Sequence, residues 1–175
     1  NFGLSLSKYF SKIKSTIKID SKVILSTSKS FTNNNLFKTN NINIIITPSI
    51  NIFATTWLNI DYKCKLNTIL VSLENKETNK MFLINNQLNA FATILKDHTI
   101  GVLSEHYNYK DENFFFVDLL YRYNLKKHNI DIEANWYNIL NYKQFTNYNV
   151  SANIIEESTY YIRPSQFLIT IRFML

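Results

Sequence analysis

The stretch that most constrains this chain is Tyr160-Tyr161-Ile162-Arg163-Pro164-Ser165-Gln166-Phe167-Leu168-Ile169-Thr170-Ile171-Arg172-Phe173-Met174-Leu175. Phe167, Ile169, Ile171, Phe173 and Leu175 recur at every second position. Successive side chains of a strand point to opposite faces, so these five share one face. Gln166, Thr170 and Arg172 hold the other face, interrupted by Leu168 and Met174. A strand that is greasy on one side and polar on the other has two uses. It faces lipid outside and a wet lumen inside a membrane barrel, or it packs one face against a second sheet in a soluble sandwich.

The same period runs through the rest of the chain. Phe2, Leu4 and Leu6 alternate with Gly3, Ser5 and Ser7. Ile17, Ile19, Val23 and Leu25 share one parity, with Thr16, Lys18, Asp20 and Lys22 on the other. Ile42, Ile44, Ile46, Ile50 and Ile52 make the clearest strand, within which Pro48 removes a ladder donor and predicts an edge or an irregular pairing. Leu58, Ile60, Tyr62, Cys64 and Leu66 follow, then Phe82 to Ile94, an ambiguous strand over 99–109, Phe115 to Tyr123, and Ile130 to Trp136. No helical period competes, so the chain reads as all-β and antiparallel, with about nine strands.

The connections decide between the two uses. Those near residues 11, 55, 97 and 127 are short, whereas those near 34, 76, 111 and 150 read as mostly longer and polar, with 28–40, 67–80 and 142–158 rich in Asn, Ser and Thr. Outer-membrane barrels keep short turns on the periplasmic side and longer loops outside, and a sandwich has no reason to. With only two glycines, Asn takes over the turn positions. Mean hydropathy is −0.15, which does not argue against a barrel, because half of each strand is polar. No apolar run is long enough for a transmembrane helix. The expectation is a transmembrane antiparallel β-barrel. An odd strand count with the last strand ending on the short-turn side predicts a C-terminal segment of a larger barrel, residues 1–175 being one partial barrel domain. A small stand-alone barrel with a structural or adhesive role, and a soluble β-sandwich binding module, are the alternatives.

The net charge of +6 reads as solubilising lysine charge, largely expected in turns and loops, with no basic cluster dense enough to make a nucleic-acid stripe. Outer-membrane lipid and lipopolysaccharide are the surroundings that the barrel reading implies. Cys64 is alone, which excludes a disulfide framework. His98 and His128 fall in expected turns, and adjacent Glu105 and His106 point to opposite faces. No convergent acid, base or nucleophile emerges, so no catalytic, cofactor or metal site is expected. Trp57, Tyr62, Tyr121, Tyr123 and Trp136 are candidates for the aromatic girdles at the lipid boundaries. Asp118, Arg122, Asp131 and Glu133 share the lumen-facing parity. A turn pairing Leu125 with Ile130 sets Arg122 opposite Glu133 and predicts an ion pair between them.

Two stretches resemble a known family. Asn135-Trp136-Tyr137-Asn138-Ile139-Leu140-Asn141-Tyr142-Lys143-Gln144-Phe145 resembles the penultimate-strand signature of TonB-dependent outer-membrane receptors. Tyr160 to Pro164, followed by Phe167 to Phe173, is similar to the final strand of such receptors from Bacteroidetes, most of all the group with a carboxypeptidase-regulatory-like N-terminal domain. The family ends on an aromatic residue, whereas Leu175 stands last here and Phe173 two positions before it. The resemblance implies a plugged barrel of about 22 strands. It implies uptake of a nutrient such as a siderophore, glycan or peptide, energised by TonB through an N-terminal part not contained in this sequence. It also implies that the barrel-assembly machinery reads Phe167, Ile169, Ile171, Phe173 and Leu175.

Overall fold

The computed structural model describes residues 1–32, 35–53, 55–73, 78–109, 112–150 and 155–173. Among these residues eleven strands form: β1 (Phe2–Phe10), β2 (Ser15–Thr32), β3 (Asn35–Ile52), β4 (Leu58–Leu73), β5 (Thr78–Ile94), β6 (His98–Tyr109), β7 (Glu112–Leu125), β8 (Ile130–Tyr137), β9 (Gln144–Val150), β10 (Ile155–Tyr161) and β11 (Gln166–Phe173). Nine of them make one antiparallel sheet in the order β1 to β8 and then β11, while β9 and β10 pair as a separate hairpin. The sheet is open, with β1 and β11 at its edges.

Several expectations are corrected. The region 28–40 is not a loop, because β2 runs to Thr32 and β3 starts at Asn35. The region 67–80 is likewise strand up to Leu73 and again from Thr78. The region 142–158 holds most of the β9–β10 hairpin. Tyr160 and Tyr161 belong to β10, so the final strand begins only at Gln166. His98 opens β6 rather than sitting in a turn. Pro48 is not on an edge strand, since β3 pairs on both sides. The irregularity falls on its β4 side, where the register skips Thr47 and Pro48. Ala54, Met174 and Leu175 lie outside the described residues.

The first and last short turns share one construction. Residues Ser11–Ile13 and Lys126–His128 each form a single 3-10 turn, closed in the left-handed region by Lys14 (φ 43°) and Asn129 (φ 53°). They serve as matched markers along the sheet. The row of paired residues leaving the first turn at Phe10 and Ser15 passes through Ile52, Ile60, Ala90, Val102 and Leu119. The last turn starts at Leu125, so that row arrives about six residues short of it after six strand spacings. A stagger of about one residue per strand tilts the strands by roughly 35°, taking ~3.3 Å of rise against ~4.8 Å of spacing. Closed barrels have tilts of about 35–45°.

The two faces of the sheet differ sharply. One carries Phe2, Leu4, Leu6, Ile17, Ile19, Ile46, Phe82, Ile100, Leu119, Ile169, Ile171 and Phe173, all exposed. The other carries the buried Thr39, Val71, Met81, Asp131 and Asn135, together with amide oxygens of Asn41, Asn43, Asn51, Asn59, Asn67 and Asn85 that are closed off from solvent. Side chains that converge shield one another, so the sheet curls toward its polar face. Among the described residues only Val71 and Met81 form a buried hydrophobic core. The accessible surface is 12381 Å² for 20.7 kDa. A compact monomer of this mass exposes roughly 8,900 Å².

Candidate functional site

The apolar face is the first candidate surface. Register rows place Tyr62, Tyr121, Tyr123 and Trp136 on it, since Tyr62 opposes Ile50 and Leu88, Tyr121 opposes Ile100 and Ala134, and Trp136 opposes Leu119 and Phe167. Trp57 does not share their strand geometry. It precedes β4 in the connection and is exposed, and its carbonyl accepts the Thr93 N–H at 2.7 Å. Near the short turns, His98 stacks on Tyr123 with ring centroids 4.3 Å apart, and its Nδ1 lies 2.7 Å from the Tyr121 hydroxyl. At the far end of β8, the Trp136 indole N–H donates to Ser165 Oγ at 2.8 Å. Polar groups thus gather at both ends of the apolar stretch of β6 to β8. Farther along, the Tyr62 hydroxyl donates to Asn86 Oδ1 at 2.8 Å, and Asn86 Nδ2 lies 3.2 Å from His106 Nδ1.

Phe167, Ile169, Ile171 and Phe173 all project to this face from β11, a strand bonded on one side only. Leu175, the fifth member of that set, lies outside the described residues.

The polar face is the second candidate. Leu125 pairs with Ile130, and Arg122 stands directly opposite Glu133, as the turn geometry predicts. The ion pair nevertheless forms elsewhere. Arg122 Nη2 meets Asp131 Oδ2 at 2.5 Å, and Glu133 Oε2 is approached at 3.4 Å by Arg172 of β11. Glu133 also accepts from Asn135 Nδ2 at 2.8 Å. An arginine stem is long enough to reach the diagonal neighbour, and Asp131, the more buried acid, is the one that most needs a counter-charge.

The β9–β10 hairpin lies against this polar face. The Phe145 ring sits edge-on to Phe114 at 5.1 Å, Tyr107 at 5.2 Å, Tyr109 at 5.9 Å and Phe116 at 6.0 Å. Beside them Glu105 accepts from the Tyr107 hydroxyl at 2.5 Å and from Gln87 Nε2 at 3.0 Å. Glu105 and His106 thus face apart, as their adjacency requires.

Asn138 holds the hairpin where the chain leaves the sheet. It is buried and adopts φ 49°. Its N–H donates to Asp118 Oδ1 at 2.7 Å. Its Nδ2 donates to the carbonyls of Tyr142 and Arg163, and its Oδ1 accepts the Tyr142 N–H at 3.0 Å. Asn141 Oδ1 then accepts the Ser165 N–H at 3.1 Å. A cleft of about 530 Å³ opens next to this knot, lined in part by Phe116, Asp118, Ile162 and Arg163. Sequence reasoning put Asn138 inside a family-like motif without a task for it. Its partners lie up to 25 residues away, and no local pattern encodes them.

Comparison with family models, with curated proteins and with solved structures finds no match. Among the described residues no group of three His, Cys, Asp or Glu side chains is placed to hold a metal ion.

Proposed function

We propose that this chain is wall of an outer-membrane β-barrel, its apolar face against lipid and its polar face toward the lumen. The observation that carries the reading is the apolar face itself, whose exposed hydrophobic side chains are spread over the nine-stranded sheet. Water would penalise so much exposed apolar surface at about 25 cal/mol per Å², and lipid does not. A sandwich would place a second sheet over that face. The only second layer among the described residues, the β9–β10 hairpin, lies on the polar side. The stagger of about one residue per strand supports a curving, barrel-like wall.

The narrower reading is a TonB-dependent receptor for nutrient uptake, with the chain as part of a larger barrel. The strand directions support the larger barrel: β1 and β11 run the same way, so an antiparallel closure needs further strands between them. In this reading the chain itself is not an enzyme. The test uses Trp136, made the only tryptophan by Trp57→Phe, in vesicles with brominated acyl chains. Strong quenching is expected, and unquenched emission would sink the membrane assignment. A plug domain encoded upstream of Asn1 is expected for the receptor reading, and a signal peptide directly before Asn1 would overturn it.

A further inference from the structure

The cleft beside Asn138 presents two opposite charges that do not neutralise each other. Asp118 and Arg163 both line it, yet neither takes part in an ion pair among the described residues. Asn138 holds the Asp118 carboxylate through its backbone N–H and the Arg163 backbone carbonyl through its side chain, so both residues are anchored at the rim of the cleft. Oδ1 of Asp118 takes that N–H, and among the described residues no donor to Oδ2 is seen. Phe116, Ile162 and Leu168 supply apolar wall to the same cleft. A volume of about 530 Å³ suits a ligand of small-molecule size.

We infer that this cleft binds a zwitterion with an apolar body: an α-amino acid or short peptide whose ammonium meets Asp118, whose carboxylate meets Arg163, and whose side chain lies on Phe116. A guanidinium matches a carboxylate with two parallel hydrogen bonds, and a carboxylate strengthens its bond to an ammonium by charge. A neutral ligand would leave both charges unsatisfied, and a simple anion or cation would leave one. The site is lined by residues of β7, β8, β11 and the segments flanking the hairpin, all of this chain, so the inference does not rest on the membrane assignment.

The test is calorimetric titration of the folded chain with the dipeptide phenylalanyl-leucine, its N-acetyl form and its C-terminal amide. Saturable binding of the free dipeptide is expected, with each blocked form at least tenfold weaker. Arg163 is exposed, so Arg163→Gln keeps the fold and should abolish the difference between the free dipeptide and its amide. Asp118→Asn keeps an oxygen for the Asn138 N–H and should abolish the difference between the free and acetylated forms. Absence of saturable binding overturns the inference. So does equal binding of the blocked forms, or an unchanged preference for the free carboxylate in Arg163→Gln, which decides the matter even if Asp118→Asn fails to fold.

Discussion

Arg122 passes over Glu133, its directly opposed neighbour, and pairs instead with Asp131 on the diagonal. The Asp131 side chain is 6% exposed, and its Oδ1 has no hydrogen-bond partner among the described residues. Arg122→Gln would leave this sheltered carboxylate without its counter-charge and should destabilise the sheet by about 2 kcal/mol. Arg172→Gln removes a longer contact at 3.4 Å from a side chain that is 55% exposed, and should change stability by less than ~1 kcal/mol. Urea unfolding of the two variants in the same detergent checks the order. Equal losses would mean that burial does not set the worth of these pairs.

Asn138 should be the least replaceable residue of the hairpin junction. Asn138→Ala strips the partners from the Tyr142 N–H and from two carbonyls, and asks alanine to hold a left-handed φ of 49°. The expected loss is about 2–4 kcal/mol. Asn138→Asp keeps the acceptor but turns a donor into a charge facing the Tyr142 and Arg163 carbonyls, so it should be no better than alanine. Thermal unfolding followed by circular dichroism measures both. An aspartate variant as stable as the parent would show that the donor bonds contribute nothing.

How legible the sequence is depends on where its two faces differ. Along β8 one parity is apolar and the other mostly polar, and even the opposition of Arg122 and Glu133 follows from the turn. In Ser26–Thr32 of β2 and Asn35–Asn41 of β3 both parities are mostly polar. The period-2 signal vanishes there, and Asn and Ser argue for loop by propensity, yet the ladder between these strands continues. Partner strands, not local preference, decide such stretches. The choice of Asp131 over Glu133 depends on side-chain reach and shelter, which register alone does not specify. The inward-lying hairpin depends on Phe145 meeting rings from β6 and β7, a contact across nearly 40 residues.

Phe145 is therefore a specific anchor rather than a general stabiliser. Phe145→Ala removes the ring that contacts Phe114, Tyr107, Tyr109 and Phe116, at a local cost of about 2 kcal/mol. The nine-stranded sheet does not pass through this residue. The expected outcome is faster proteolysis within 144–161, with amide exchange in β4 to β8 unchanged. Protection lost evenly across the sheet would contradict a separate hairpin unit.

The two faces of β11 give the sharpest contrast, because adjacent residues carry opposite expectations. Ile169 is 63% exposed on the apolar face, while Thr170 lies in the row of Arg122 and Glu133 on the polar face. Against lipid, Ile169→Arg places a charge in the apolar band and should cost about 2–4 kcal/mol, falling toward the boundaries. Thr170→Arg adds a cation beside Glu133 and should stay within ~0.5 kcal/mol. If the apolar face met water instead, an exposed Ile169→Arg would be equally mild, since surface substitutions seldom exceed ~0.5 kcal/mol. Folding titrations of both variants in lipid vesicles therefore read the environment of the face directly. A large loss at Ile169 with none at Thr170 is expected, and matching small changes would remove the lipid-facing assignment, whatever the alternation in the sequence.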